Sequence, residues 1–373
     1  MKKILVAASM MLFGMMSVQA ANNYTLAGTD INNTATLSFT AGGAAQPDVN
    51  STTDTFVVDN KVDVVVTVKD LVPVPVASSS TDKYLSFTVR NDGNKIQDYN
   101  LTALADDDNP FGLATPDNFD ATNIRIFVDK NNDGVYDAGD TETFIDELAP
   151  DANKTVFIVA NMPAGLTDGW HADYTLIAET RTGGNTGNQG TTLADNTGDA
   201  DLAATEQNIF ADAKGAGTSN GDGAAHNAKH SDNSAFRVEM PDLSATKGSC
   251  VYSDPVNGTV TPKRIPGAIV MYTFDIVNAG SAKVTDLNLT DTLQADLDGA
   301  TLSSGTADTL GSVTVNIDQS SCNACSDGSR TTGGVDQADA DGSAQGINIT
   351  NISVDKAGSN QDHTCISFSV EIK

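Results

Sequence analysis

Six residues between Asp129 and Asp140 have the types and spacing to hold a divalent cation. The run Asp129-Lys130-Asn131-Asn132-Asp133-Gly134-Val135-Tyr136-Asp137-Ala138-Gly139-Asp140 puts side-chain oxygens at loop positions 1, 3, 5, 9 and 12. The Val135 carbonyl falls at position 7 and a glycine at position 6. Calcium is bound by oxygen ligands at this spacing, with the glycine making the sharp turn. Asp140 stands where a bidentate Glu is usual, so a shorter arm must reach the ion; Glu142 is placed to help. Strand-like runs, Ile124 to Val128 and Thr143 to Ile145, flank the loop in place of helices. The expectation is a structural calcium site that rigidifies a β-hairpin, with the weak affinity of extracellular sites, on the order of 10⁻⁴ to 10⁻³ M. The competing reading is an Asx-rich turn without metal.

The four cysteines, Cys250, Cys322, Cys325 and Cys365, all lie in the second half. An even count in an exported chain points to disulfides, here in one of three connectivities. Cys322-Asn323-Ala324-Cys325 also has redox-pair spacing, but its neighbours Ser320, Ser321, Ser326, Asp327 and Gly328 read as loop. A zinc site would want a second such pair or paired histidines nearby. Two further acidic groups, Asp106-Asp107-Asp108-Asn109 and Asp336, Asp339 and Asp341, lack distinctive ligand spacing and read as solvated turns. His226 and His230 are four apart in a Gly/Asn-rich stretch, and Trp170-His171 follows Gly169 as a loop aromatic packed before a strand. No nucleophile–base grouping, phosphate loop or paired catalytic carboxylates stand out, so the chain reads as non-enzymatic.

Residues 1–20 carry an export signal: Lys2 and Lys3, an apolar run from Ile4 to Met16, and the small-residue pattern Val18-Gln19-Ala20. Gly14 and Ser17 interrupt or end the run, which is too short for a membrane anchor. No later segment approaches the length of a transmembrane helix. The formal net charge is −28. That balance argues against nucleic acid or anionic membrane as partners, because both demand basic patches. Only six of the 49 acidic residues are Glu. Asp is a poor strand and helix residue but a good turn former, so most of these acids read as solubilising surface.

The chain also repeats itself. Phe87, Val89, Asn91 and Gly93 recur as Phe274, Ile276, Asn278 and Gly280. After a one-residue shift, Lys95, Ile96, Asp98, Asn100, Leu101 and Thr102 recur as Lys283, Val284, Asp286, Asn288, Leu289 and Thr290. Each copy reads as strand, Gly-bearing turn and strand. Short β-branched runs, divided by Gly, Asn, Asp and Pro, continue along the chain and helical periodicity is absent, apart from one short helical turn within Leu202 to Ala213. The fold class is therefore all-β: two immunoglobulin-like antiparallel β-sandwich domains, an N-terminal strand arm and a long Gly/Asn/Asp-rich linker. The expected boundaries are signal 1–20, arm 21–60, first sandwich 61–181 with the calcium-type loop, linker 182–235, and second sandwich 236–373 with the disulfides.

Several segments resemble a known group. Ser253-Asp254-Pro255-Val256-Asn257-Gly258, Pro262 to Ala268 and the Tyr272 to Asp291 strands look like the conserved repeat domain of unknown function found in bacterial and archaeal cell-surface proteins. Ile31 to Leu37 and Phe56 to Val62 look like what precedes that domain in such proteins. The resemblance implies an immunoglobulin-like sandwich and a surface or matrix role, with no activity to carry over. The expectation is a secreted or surface-displayed bacterial protein that associates with itself or with other surface proteins, as a filament subunit or matrix component through β-strand contacts. The alternative is a monomeric calcium-stabilised adhesin that binds glycan or protein through its loops.

Overall fold

The computed structural model describes residues 24–114, 117–217, 224–293, 297–298, 303–304, 312–317, 339–343 and 346–373. The expected export signal, residues 1–20, therefore lies outside the described residues. Among them every regular element is a strand, and no helix is long and apolar enough to cross a membrane.

The first six strands form one ribbon. β1 (Asp30–Asn33), β2 (Thr36–Leu37) and β3 (Thr40–Ala41) run out; β4 (Ala44–Ala45), β5 (Val49–Asn50) and β6 (Asp54–Val57) run back. β1 pairs with β6, β2 with β5 and β3 with β4, all antiparallel. Gly42 and Gly43, both at positive φ, close the tip as a two-residue hairpin requires. The expected strand arm is thus a long hairpin, and nearly every residue of it is exposed.

Eleven strands follow: β7 (Asn60–Val62), β8 (Val64–Val68), β9 (Val74–Val76), β10 (Lys83–Asn91), β11 (Gln97–Asp106), β12 (Thr122–Val128), β13 (Phe144–Leu148), β14 (Asn153–Asn161), β15 (His171–Thr182), β16 (Asn208–Phe210) and β17 (Lys229–Val238). One sheet has the order β12-β14-β10-β8 and the facing sheet β13-β11-β15-β17-β9. The period-2 pattern sends Leu85, Phe87 and Val89 of β10 inward, where they meet Val156, Ile158, Tyr99, Leu176 and Phe236 in a single apolar cluster. The open edge of β8 is sealed by side chains of the opposite sheet: Val66 N donates to His230 Nδ1 (3.2 Å) and Val68 N to Asp232 Oδ2 (2.6 Å).

The last strands are β18 (Leu243–Ser253), β19 (Ile269–Asn278), β20 (Val284–Thr292), β21 (Leu297–Asp298), β22 (Ser303–Ser304), β23 (Ser312–Ile317), β24 (Asp339–Ser343), β25 (Gly346–Val354) and β26 (His363–Ile372). They make a sheet β18-β19-β26-β23-β22, with β21 beside β26, and a sheet β20-β25-β24. Between the two sheets lies a second, smaller cluster around Phe274, Ile276, Ile352 and Ile366.

The sequence repeat is matched bond for bond at its turn. Asn91 Nδ2 donates to the carbonyls of Lys95 (2.8 Å) and Leu148 (2.9 Å), and its Oδ1 accepts from Gly93 N (3.0 Å). Asn278 Nδ2 donates to the carbonyls of Ala282 (2.7 Å) and Asp355 (2.9 Å), and its Oδ1 accepts from Gly280 N (3.0 Å). Gly93 presses on the Lys61 carbonyl and Gly280 on the Met240 carbonyl, so neither site has room for a Cβ.

The stretch read as linker behaves otherwise. Its last residues enter β17, where Phe236 is wholly buried, and its middle forms β16, which pairs in parallel with β7 in place of a helical turn. The composition of this stretch offers little apolar area except around Ile209 and Phe210, so the sequence suggested a long loop and linker draped over the first domain. Carboxylates hold it there. Asp59 accepts from Gln207 N, Asp98 from Gly190 N, Asp146 from Gly187 N and Asp212 from Asn227 N and Ala228 N.

Candidate functional sites

The strands on either side of the calcium-type loop lie in different sheets. β12 pairs with β14 and β13 with β11, and only the bridge between Val128 and Glu142 joins them directly. The loop therefore straps one sheet of the first sandwich to the other, rather than closing a hairpin. Tyr136, in mid-loop, stacks on Phe127 with ring centroids 5.4 Å apart and anchors the strap to the sheet.

Within the loop the carboxylates organise the backbone. Asp129, 1% exposed, accepts from Gly134 N at 2.8 Å through Oδ2. Asn131 Oδ1 accepts from Asp133 N (3.1 Å), and Asp133 Oδ1 from Val135 N (2.8 Å). Asp140, 3% exposed, accepts from Lys130 N (2.9 Å) and Asp137 N (3.0 Å). Gly134 and Asn132 supply the positive φ angles of the turn. Two features suit a hard cation. Asp129 Oδ1 is buried without a hydrogen-bond partner. The Asn131 amide NH₂ lies between Asp133 Oδ2 (3.0 Å) and Asp137 Oδ2 (3.3 Å), a partial positive charge where oxygen ligands would converge on an ion. Glu142 is turned away, toward Lys130 Nζ at 3.6 Å.

On these grounds calcium is expected to bind the native loop alone and to raise the melting temperature. At an ion concentration tenfold above the dissociation constant the gain is about 1.4 kcal/mol. Asp133→Ala should abolish it. A melting curve that ignores saturating calcium in both proteins reduces the loop to a turn.

Among the described residues three acids outside this loop also converge. Asp98, Asp146 and Glu147 bring carboxylate oxygens within 4.8 Å of one another, from β11 and β13. The loop after β15 covers them with backbone N–H groups: Gly184 and Asn185 donate to Glu147, Gly187 to Asp146 and Gly190 to Asp98. The glycines at 184, 187 and 190 were the available signal, since close backbone approach to acceptors is what they permit. Every buried Asp among the described residues (98, 106, 129, 140, 173, 212 and 254) accepts at least one backbone N–H in this manner.

At the other end of the first sandwich, Asp106 accepts from the Thr175 hydroxyl. Asp173 is wholly buried, with Oδ2 accepting from Asn109 N at 2.8 Å and Oδ1 3.7 Å from His171 Nε2. Burial, with the nearby charges of Asp117, Asp106 and Asp107, pushes its carboxyl up to about 7 against the pull of the Asn109 N–H. Trp170 packs on the first cluster, while His171 opens β15 with its ring buried. His226 Nδ1 lies 2.7 Å from the Phe210 carbonyl and His230 seals β8, so the two histidines serve different contacts. Asp254, heading the Asp-Pro-Val-Asn-Gly segment, accepts from the N–H groups of Asn257, Lys263 and Val256, which lower its carboxyl to about 2.

Cys322 and Cys325 lie outside the described residues, and neither Cys250 nor Cys365 is a free thiol. Cys250 pairs in register with Met271, whose other partner is Ser369, whereas Cys365 pairs with Asp275. The two are separated by β19 and offset by four residues, beyond the roughly 7 Å span of a disulfide. A Cys250–Cys365 bond is thereby excluded, and two of the three connectivities remain. Non-reducing peptide mapping should return no peptide joining Cys250 to Cys365; recovering one would overturn the strand register.

No protein-family model matches the chain, and no curated protein does. Among solved structures, the C-terminal domain of the Streptococcus agalactiae AgI/II polypeptide BspA is similar over 83% of this chain and 91% of that one, at 8% identity and a TM-score of 0.32. A putative membrane-anchored protein from Corynebacterium diphtheriae is similar over 90% of this chain and 58% of that one, at 10% identity and a TM-score of 0.19. Likeness at that level assigns neither a family nor a function.

Proposed function

We propose that the chain is an exported, non-enzymatic structural protein, the subunit of an extracellular filament or surface matrix that assembles through β-strand contacts. The observation that carries this reading is the hairpin from Asp30 to Val57. It stands off the first sandwich with Leu37 (58% exposed), Phe39 (51%) and Val49 (53%) uncovered. A two-stranded hairpin alone is marginal in water, and apolar side chains displayed on one are normally covered by a partner. The export signal and the repeated β unit agree with a secreted building block; the calcium-type strap and the four cysteines would harden it outside the cell.

A second reading, a monomeric calcium-stabilised adhesin, draws support from the loops, where Leu71, Val72, Val256 and Val260 are exposed by 67% or more. Electron microscopy of the purified mature chain beside a truncation lacking residues 21–60 separates the two. Fibres from the first and none from the second are expected. Soluble monomers of the full mature chain at high concentration, with calcium present, would favour the adhesin.

A further inference from the structure

Strand register shows that the described strands of the second sandwich copy part of the first. β10 and β19 correspond through the repeat, and their partners then correspond in turn. Phe87 faces Val68 and Val156, as Phe274 faces Lys247 and Ile366. Val156 faces Val128, as Ile366 faces Val315. Tyr99 faces Ile145, as Leu287 faces Ile352. So β8, β10, β11, β12, β13 and β14 have counterparts in β18, β19, β20, β23, β25 and β26. Among the described residues, β15 and β17 have none.

The consequence is visible in exposure. In the first sandwich β11 pairs with β15 over ten residues, and β17 lies beyond it and reaches across to β8. In the second, β20 ends its sheet, with β25 as its sole neighbour among the described residues. Val64 and Val66 of β8 are 0% and 2% exposed, while Leu243 at the position of Val64 is 39% exposed and Ala245 at that of Val66 is exposed too. Asp98, wholly buried, becomes the exposed Asp286. Among the described residues no two-stranded unit stands at this edge.

We infer that the hairpin Asp30–Val57 of a second copy fills that place, one of its strands pairing with β20 and the other lying beyond it, as β15 and β17 do for β11. The inference rests on the self-associating reading above and names both the acceptor and the donor. The hairpin is the two-stranded, uncovered, apolar-bearing element among the described residues. Its apolar pairs Ile31–Phe56 and Leu37–Val49 are cross-strand neighbours that can be laid on a core. Within one molecule the hairpin and the second sandwich are held at opposite ends of the first. The base of the hairpin is tied to the end of the first sandwich where Asn94 lies, through Ala27 N to the Asn94 carbonyl and Gly28 N to the Val58 carbonyl. The second sandwich joins at the opposite end, where Asp168 accepts from Met240 N and from the Ser281 hydroxyl. The ten-residue strands between these ends span roughly 34 Å. The contact is thus head to tail between copies, and a heterologous contact that does not close builds an open chain.

The test separates donor from acceptor. One variant lacks residues 24–58, keeping the β20 edge; the other carries Asn288→Pro, an exposed position at the β20 bulge, keeping the hairpin. In sedimentation each alone should lose every species above monomer, and mixing should give a single 1:1 complex. A third variant with residues 24–58 removed from the front and fused by a flexible linker behind Lys373 should close on itself and stay monomeric, whether or not the proline variant folds. If the proline variant is folded by circular dichroism and still polymerises, or if the fused variant does, β20 is not the acceptor while the self-associating reading stands. If the unaltered chain never leaves the monomer, the reading itself fails.

Discussion

Asn91→Ala should be among the most damaging single changes in the first sandwich. The side chain is wholly buried and serves three backbone groups: Gly93 N, the Lys95 carbonyl and the Leu148 carbonyl. Alanine leaves all three without their partner, and each unsatisfied buried group costs about 1 to 3 kcal/mol, part of which water entering the turn recovers. A loss of about 3 kcal/mol is expected. Trp170, the one tryptophan of the chain, packs on the first cluster, so its fluorescence in a urea titration reads this sandwich alone. Asn278→Ala, the matching change in the second sandwich, should leave the tryptophan transition in place and shift only the remaining β-sheet signal in circular dichroism. Equal responses of the tryptophan to both substitutions, or a loss under about 0.5 kcal/mol, would refute the assignment of the turn as a common structural keystone.

The first sandwich should also weaken as pH rises from about 4 to 8, with Asp173 as the cause. Its carboxyl is raised from the ordinary value to about 7 in the folded protein, by burial first and by Asp117, Asp106 and Asp107 after it. A folded-state value above the unfolded one means that the native state holds the proton more tightly. The stabilisation is complete below about pH 4 and disappears as pH climbs through 7. Ionisation must then be borne in a wholly buried site whose close neighbour, His171, is itself lowered by burial and by Arg237. Allowing for relaxation of the loop that carries Asn109, the loss is about 2 kcal/mol. Asp173→Asn should raise the melting temperature at pH 8 and flatten the tryptophan-detected profile between pH 5 and 8. An unchanged slope in the variant would clear Asp173 of the effect.

The hydrophobic alternation of β10 and β19, and the Asn-x-Gly recurrence, made the strands and the repeat legible from residue types alone. Both features are local: side chains alternate with period 2, and a turn asks for a particular backbone conformation. What escaped were the pairings made at a distance. Ile124 to Val128 and Thr143 to Ile145 look like the arms of a hairpin because they are close in sequence, yet β12 finds β14 and β13 finds β11. The Gly/Asn/Asp-rich stretch carries too little apolar area to order itself by burial alone. Its anchors are acids elsewhere in the chain, such as Asp98 and Asp59, whose acceptor role has no signature in their own neighbourhood. At the calcium-type loop the spacing located the turn, while the strap between sheets and the buried, unpartnered Asp129 oxygen arise from packing that spacing does not encode.

The seal on β8 has a consequence for the shape of anything this chain builds. With His230 and Asp232 occupying the outward N–H groups of Val66 and Val68, the β8 edge of the first sandwich offers no vacancy to a passing hairpin. On the proposed pairing of the hairpin with β20, each chain has a valence of two, one plug and one socket. Molecules of that valence yield unbranched threads with unlike tips, one ending in a bare plug and the other in a bare socket. Unsealing β8, for example by His230→Ala with Asp232→Ala, would add a second socket and turn a thread-former into a network-former.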